Sequence, residues 1–215
     1  MFIELKNVSK KINGAEILNN VSLEISKGTC CGFIGRNGCG KTMLLRAVCG
    51  FMKCDGDIFI NGQKIGEDIS FINNAGIIIG ETTFIGSMTG LENLKILAEI
   101  QKIISEEQIK ESLKAVGLES VSNKKYRKYS LGMKQRLRIA QAIMEDPNIL
   151  ILDEPFNGLD KNGCEEISTL LEEYKKQGKT ILLTSHNDED IKRLCDKTFE
   201  MDKGEIIAEV NLNEK

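Results

Sequence analysis

The chain has 215 residues, of which 41% are hydrophobic and 28% are charged, as in ordinary water-soluble globular proteins. Its formal net charge is −3 at pH 7, so the molecule as a whole offers no electrostatic attraction to nucleic acid. No apolar run approaches the ~20 residues that a membrane-spanning helix needs, and the N-terminus lacks a secretory-signal pattern. We therefore expect one large soluble domain, and any link to a membrane must come through a partner.

The cysteine pattern favours a reduced protein. Seven cysteines occur at irregular spacing and no two form a C-x-x-C pair, so neither a disulfide framework nor a zinc site is expected. Several stand in apolar stretches, where a free thiol behaves as a small hydrophobic side chain. These features indicate a cytosolic protein.

The N-terminal part of the chain predicts strands. Residues 2–5 and 21–25 alternate apolar with polar side chains, which is typical of half-buried strands. A further strand is expected over residues 57–60, after an Asp-Gly turn signal, and a short buried strand over 77–79.

Between these strands lies the most informative segment, GRNGCGKT at residues 35–42, which fits the phosphate-loop pattern G-x-x-x-x-G-K-[ST] at every fixed position. A buried strand is expected before it, over 29–34, and a helix after it, over 43–49. This order points backbone N–H groups and the positive end of the helix dipole at a phosphate. Lys41 would neutralise the β- and γ-phosphates, and Thr42 would bind Mg²⁺. The residues predicted to bind nucleotide here are Gly35, Asn37, Gly38, Cys39, Gly40, Lys41, Thr42 and Met43.

The alternative interpretation is a chance glycine-rich turn, which the flanking strand and helix disfavour. Cys39 lies inside the loop. Its alkylation should therefore block nucleotide binding.

The middle of the chain predicts helices. Thr89-x-x-Glu92 and Ser105-x-x-Gln108 are capping boxes, and each precedes apolar residues at helical spacing. Gly117 is placed to end the second helix. We expect residues 83–147 to form a helical insert.

The C-terminal part predicts alternating strands and helices, and hence a parallel sheet. Strands are expected over 149–152 and 180–184, with a helix between them that ends at Gly178. The remaining expectations are a short helix over 188–195 and a hairpin of strands 198–201 and 205–210.

Two acidic residues follow the apolar strand 149–152. A buried strand that ends in a carboxylate places it at the carboxyl edge of the sheet, where ligands bind in such folds. Asp153 is suited to the Mg²⁺ shell and Glu154 to polarising an attacking water. His186, the one histidine of the chain, follows the strand 180–184 at the same edge and is expected to reach the γ-phosphate.

A third segment, Tyr129 to Arg136, predicts a second anion site. Ser130 is expected to cap a helix, and a helix N-terminus beside a glycine attracts anions. Because this segment lies in the helical insert, away from the phosphate loop, two molecules are expected to meet head to tail.

These residues resemble the ATP-binding cassette ATPases, the nucleotide-binding subunits of ABC transporters. Residues 35–42 resemble their Walker A motif, 150–154 their Walker B motif and 130–133 their signature sequence. Gly158-Leu-Asp160 resembles the D-loop and His186 the switch histidine. The five motifs occur in the family's order, and the resemblance covers essentially the whole chain.

The resemblance implies an α/β fold: a P-loop NTPase core with a parallel sheet, an N-terminal antiparallel β subdomain and an inserted helical subdomain. One ABC ATPase domain would span 1–215, with the core at 1–82 and 148–215 and the helical subdomain at 83–147. ATP and Mg²⁺ are the implied cofactors, and Glu154 and His186 the catalytic residues.

The resemblance also implies the partners. In a head-to-tail dimer, Ser130 and Gly132 of one copy would contact the γ-phosphate held by Lys41 of the other, and Asp160 would help to form the interface. Transmembrane permease subunits on separate chains would hold the protein at the inner face of the cell membrane.

Three positions depart from the family pattern. Met133 occupies the second glycine of the signature, where a methionine is bulkier but adaptable. The adenine-stacking aromatic falls near Ile12, so base stacking is expected to be weak. The family's coupling glutamine is replaced by Glu81, which we expect to sense the metal; the alternative is a solvated loop acid. Glu81 and the sequence Gly-Met-Lys-Gln-Arg after Ser130 resemble the bacitracin- and lantibiotic-resistance branch of exporters.

Two alternative functions stay open at this point. One is an ABC ATPase without transport, acting in DNA repair, translation or cell division, and the other is a regulator without turnover. The segment 124–138 carries seven basic and no acidic residues, but it is expected to be a solvated face rather than a nucleic-acid site.

Overall fold

The structure is a computed structural model, and it describes residues 1–81, 83–185, 191 and 193–212. Within these residues it has ten β-strands and five complete α-helices. The strands are β1 (Ile3–Ile12), β2 (Ala15–Ile25), β3 (Cys30–Ile34), β4 (Asp55–Ile60), β5 (Gln63–Lys64), β6 (Ala75–Ile78), β7 (Ile149–Leu152), β8 (Thr180–Thr184), β9 (Lys197–Asp202) and β10 (Glu205–Asn211). The helices are α1 (Lys41–Val48), α2 (Gly90–Gln101), α3 (Glu106–Ala115), α4 (Leu131–Ile143) and α5 (Lys161–Lys176).

The strands form two sheets. The larger has six strands in the order β10-β9-β3-β8-β7-β6, and all neighbours in it are parallel except the β9–β10 hairpin. The smaller is antiparallel, with the order β2-β1-β4-β5. The α/β fold, the parallel sheet and the N-terminal antiparallel β sheet predicted from the sequence are confirmed.

The parallel sheet lies between two hydrophobic cores. Leu150 and Leu152 of β7 pack into the core that holds the helices, whereas Ile149 and Ile151 pack into the core shared with the antiparallel sheet. A strand buried on both faces needs apolar side chains at every position, which explains the uninterrupted Ile-Leu-Ile-Leu run.

The predicted helix starts are confirmed at α2 and α3. Thr89 and Ser105 each accept a hydrogen bond from the third backbone N–H of their helix, and both capping boxes are complete. Gly117 follows α3 with φ +73°, as expected of a residue that ends a helix. The division at 83–147 stays a prediction, because α4 packs against both α3 and the core strand β6.

Two predicted helices have ends that differ from the structure or fall outside the described residues. The helix expected from residue 43 begins at Lys41, inside the glycine segment, because that turn leads directly into the first helical turn. Half of the helix expected over 188–195, at residues 188–190 and 192, falls outside the described residues. None of the helices among the described residues is long and apolar enough to cross a membrane.

Candidate functional site

Three strands of the parallel sheet end at the same edge. The glycine segment follows β3, Asp153 follows β7, and Ser185 follows β8. Because β3, β8 and β7 are adjacent and parallel, their carboxyl ends bring these segments together.

The glycine loop is pressed against the strands around it. Gly35 has φ +143° and Gly40 has φ +112°, values that favour glycine. A Cβ atom would lie 2.3 Å from the Met201 carbonyl oxygen at Gly35, and 2.9 Å from the Ile17 carbonyl oxygen at Gly40. Side chains at either position would therefore move the loop.

The N-terminus of α1 is left open for an anion. Its N-cap residue, Gly40, supplies no side-chain hydrogen bond, and no acidic residue stands in the first turn. The other four complete helices among the described residues are all capped by a side chain. The N–H groups and the dipole of α1 are thus available to a phosphate.

Lys41 lies beside this opening. The side chain is buried, and its Nζ donates hydrogen bonds to the carbonyl oxygens of Gly35 at 2.7 Å and Arg36 at 3.2 Å. The adjoining pocket has a volume of about 300 Å³. It is lined by Ile17, Asn37, Gly38, Gly40, Lys41, Thr42, Met43 and Glu154.

Six of the eight residues predicted for the loop therefore line one pocket, while Gly35 and Cys39 do not. Cys39 is only 5% exposed, and its carbonyl oxygen accepts a hydrogen bond from the Gly204 N–H of the β9–β10 turn at 2.9 Å. These two residues support the loop from beneath.

The carboxylate of Asp153 lies at the centre of a hydrogen-bond network. Thr42 Oγ1 donates to its Oδ2 at 2.8 Å, and Thr184 Oγ1 donates to its Oδ1 at 2.8 Å. The Thr184 hydroxyl also accepts the N–H of Glu154 at 2.8 Å. Thr42 and Asp153, both predicted to bind Mg²⁺, therefore lie within hydrogen-bond distance of each other, and both offer the hard oxygen ligands that Mg²⁺ prefers.

Glu154 has an unusual backbone conformation. Its φ of +52° lies in the left-handed region, which costs a non-glycine residue on the order of 1–3 kcal/mol. Buried Gln135 of α4 donates from Nε2 to the carbonyl oxygens of Glu154, at 3.2 Å, and Pro155, at 2.9 Å. Hydrogen bonds thus hold both the N–H group of Glu154, through Thr184, and its carbonyl oxygen, through Gln135. Glu154 also lines the phosphate pocket.

The predicted centre has two further residues, Glu81 and His186. Glu81 is exposed, does not line the phosphate pocket, and follows β6 in the loop that neighbours Asp153. Its negative charge acts on the guanidinium of Arg138 in α4. His186 lies outside the described residues.

The residues expected to act on a second molecule lie apart from the phosphate pocket. Ser130 and Asp160 are exposed N-caps of α4 and α5, and their side chains accept the N–H groups of Met133 and Gly163. A Cβ atom on Gly132 would lie 3.1 Å from the Gly158 carbonyl oxygen. The signature segment and the start of α5 therefore adjoin each other.

Sequence reasoning missed Thr184 and Gln135. Thr184 ends β8, which lies beside β7. The carboxylate of Asp153 after β7 was therefore a signal that a polar partner stands at the end of the neighbouring strand. Gln135 carried no local signal, because its partners are backbone groups 19 and 20 residues away along the chain.

The position near which a stacking aromatic was expected is apolar. Ile12 is 38% exposed and does not line the phosphate pocket, whereas Ile17 does. None of the residues lining that pocket is aromatic.

Comparison with known proteins relates this geometry to one family. The family model described as ABC transporter matches residues 18–157, which is more than half of the chain. The uncharacterized ABC transporter ATP-binding protein YybJ of Bacillus subtilis is 46% identical over 205 residues, which cover 95% of this chain and 94% of YybJ. The bacitracin transport ATP-binding protein BcrA of Enterococcus faecalis is 38% identical, covering 99% of this chain and 70% of BcrA. The lantibiotic transport ATP-binding protein SrtF of Streptococcus pyogenes is 34% identical, covering 96% of this chain and 90% of SrtF.

Solved structures agree with this relationship. The ATP-binding cassette MJ0796, in a dimeric post-hydrolysis state bound to ADP and Pi, superimposes with a TM-score of 0.89 at 25% identity over all of both chains. A second dimeric structure of MJ0796, described as a bacterial ABC transporter cassette, also gives 0.89, at 27% identity.

Proposed function

Because this chain belongs to the family of ABC transporter ATP-binding proteins, we propose that two copies bind and hydrolyse Mg-ATP between them and thereby drive a membrane-spanning partner. The chain is the ATP-binding and ATP-hydrolysing subunit of such a transporter. The observation that carries the site assignment is the uncapped N-terminus of α1, with Lys41 beside it and the Thr42–Asp153 pair and Glu154 at its mouth.

Each residue of this site has a proposed task. The first-turn N–H groups of α1 and the Lys41 ammonium hold the β- and γ-phosphates. Thr42 and Asp153 would supply oxygen ligands to Mg²⁺, which would neutralise phosphate charge. Glu154 polarises the attacking water as a general base, and His186 stabilises the γ-phosphate.

The second copy completes the site. Ser130 and Gly132 of one protomer are proposed to contact the γ-phosphate on its partner, with Asp160 at the interface between them. The Ser130 oxygen accepts the Met133 N–H, so its own O–H proton is left to donate to a phosphate oxygen. Dimeric cassettes with the same fold support a second subunit.

The membrane partner is proposed to be a pair of permease subunits on separate chains, which would hold this protein at the inner face of the membrane. The names of BcrA and SrtF refer to transport of bacitracin and of a lantibiotic. We extend this to the proposal that the present subunit energises export of a peptide antibiotic or another small molecule.

Phosphate release from ATP tests the enzymatic part. We expect Mg²⁺-dependent release by the native protein and its loss in Lys41→Ala, with Lys11→Ala as a matched control, because Lys11 is exposed and pairs with Glu16 instead. Equal activity of the two variants would contradict the assignment of Lys41. The transport part is tested by affinity purification from detergent-solubilised membranes, which should recover membrane-spanning chains, whereas recovery of nucleic acid would contradict it.

A further inference from the structure

One charged side chain beside this site has no part in the reaction described so far. Arg138 of α4 is partly buried, and its Nη2 donates to the carbonyl oxygen of Gly80, the residue before Glu81. Its Nη1 donates to Oε1 of Gln135 at 3.1 Å. One guanidinium therefore connects the loop that carries Glu81 to the side chain that holds the Glu154 backbone.

The guanidinium is not fully satisfied by these contacts. Its Nε is buried without a hydrogen-bond partner among the described residues, and leaving a buried donor unpaired is unfavourable. Burial lowers the pKa of Arg138, while the nearby Tyr126, Asp153 and Glu81 act in the opposite direction. A cation in this position is stabilised by the carboxylates that face it.

The position of Glu81 explains why a cation is needed. Asp153 and Glu154 already place two carboxyl groups at this edge of the sheet, and Glu81 adds a third on the neighbouring strand exit. Like charges that lie near one another repel. A fixed cation at the same place offsets that repulsion, and arginine keeps its charge at every relevant pH.

We propose that Arg138 is the counter-ion of Glu81 and a positioning residue for the hydrolytic site, tying the Glu81 loop to α4 and, through Gln135, to the backbone of Glu154. The inference rests on the proposed ATPase function for its effect on hydrolysis. The charge pairing is proposed to hold with or without bound nucleotide, because the contacts of Arg138 with Gly80 and Gln135 lie within the chain itself.

The nucleotide-free test is a double-mutant cycle with Arg138→Met, Glu81→Gln and the combined variant. We expect the thermal midpoint of the combined variant to lie about 3 °C above the value obtained by adding the two single shifts, because the loss of Arg138 matters less when Glu81 is neutral. Additive shifts would overturn the pairing. Arg136→Met is the matched control: two residues earlier on α4, Arg136 bonds the Val116 carbonyl and Glu166, away from the site, and should be additive with Glu81→Gln.

The hydrolysis test uses the same variants. Arg138→Met should lower kcat for ATP about tenfold with KM within about threefold, since Gln135 and Glu154 lose their support while the phosphate loop is untouched. Glu81→Gln in the same chain, or Arg138→Lys in place of methionine, should restore at least half of the loss. A loss that neither change restores would overturn the counter-ion assignment.

The two tests separate the two claims. A native protein that bound no ATP would contradict the proposed function, and the unfolding cycle would still decide the Arg138–Glu81 pair. An active native protein with an additive cycle would contradict the pair alone.

Discussion

At the scale of single residues, the site depends on the backbone of Glu154 being held in a conformation that it would not adopt alone. The hydrogen bond from its N–H to Thr184 and those from Gln135 to the carbonyl oxygens of Glu154 and Pro155 offset the strain of a positive φ. This arrangement fixes the direction in which the residue after Asp153 leaves the sheet. The position of the proposed general base is thus set by Thr184 and Gln135, which are not themselves proposed to take part in the reaction.

Replacing Thr184 tests this support. In Thr184→Val the shape is kept, but the Glu154 N–H loses its acceptor and Asp153 loses a donor, so the free energy of unfolding should fall by about 1–3 kcal/mol. Urea denaturation measures the loss. Thr184→Ser keeps the hydroxyl and is the control; if the valine and serine variants are equally stable, the hydroxyl does not support Glu154.

Cys39 gives a second prediction at this scale. Its Sγ lies 2.8 Å from the point where a Cβ on Gly35 would be, and the side chain is buried under the loop. A bulky group on the sulfur must displace the loop, so complete alkylation should abolish ATP binding measured by equilibrium dialysis. Cys39→Ala should bind ATP and resist the reagent; loss of binding in the alkylated alanine variant would place the effect at another cysteine.

The site residues that could be predicted from the sequence are those that belong to a motif of fixed local spacing. Lys41 and Thr42 follow from the glycine pattern, and Asp153 from its place after an apolar strand. Thr184, Gln135 and Arg138 could not be found in this way, because their partners are brought to them by sheet order and by the packing of α4.

At the scale of elements, the helix N-termini differ in what they offer. The N-terminus of α1 is uncapped, whereas α4 and α5 are each capped by their own exposed residue. Ser130 and Asp160 therefore have a structural task within one chain, in addition to the intermolecular task proposed for them. A useful variant must preserve the helix cap and remove the contact proposed with the second molecule.

Ser130→Asp has this property. Aspartate caps helices as well as serine does and suits the helix dipole, so the thermal midpoint should change little. The added negative charge would face the γ-phosphate of the partner, so kcat should fall by about a hundredfold. Ser130→Asn, a capping residue without charge, is the control; equal activity of the two variants would contradict the contact across the dimer.

Helix and strand types followed from periodicity and capping residues, but boundaries and tertiary roles did not. The apolar run 149–152 was sufficient to predict a strand, and the capping boxes at Thr89 and Ser105 were sufficient to predict helix starts. Each of these features acts through residues that are neighbours in sequence. The extension of β1 to Ile12 could not be predicted in this way. Its register shifts after Leu5, and the shift breaks the alternation of buried side chains that marks a strand in the sequence.

At the scale of the whole molecule, one chain presents two separate surfaces that are proposed to contact nucleotide: its own at the phosphate pocket and that of its partner at the Ser130 segment. The phosphate pocket lies at the end of β3, and the Ser130 segment lies beside Gly158 and Asp160, outside that pocket. Leu131, next to Ser130, is 70% exposed. The central claim is that these surfaces meet when two copies enclose ATP.

The most direct measurement of this claim is the mass of Glu154→Gln in solution with and without Mg-ATP. Loss of the general base should stop hydrolysis and leave ATP enclosed, so light scattering should give twice the 23.9 kDa of one chain with Mg-ATP and 23.9 kDa without it. Adding Ser130→Asp to the same variant should restore the single-chain mass. A Glu154→Gln protein that binds Mg-ATP at a saturating concentration and stays at 23.9 kDa would contradict the account.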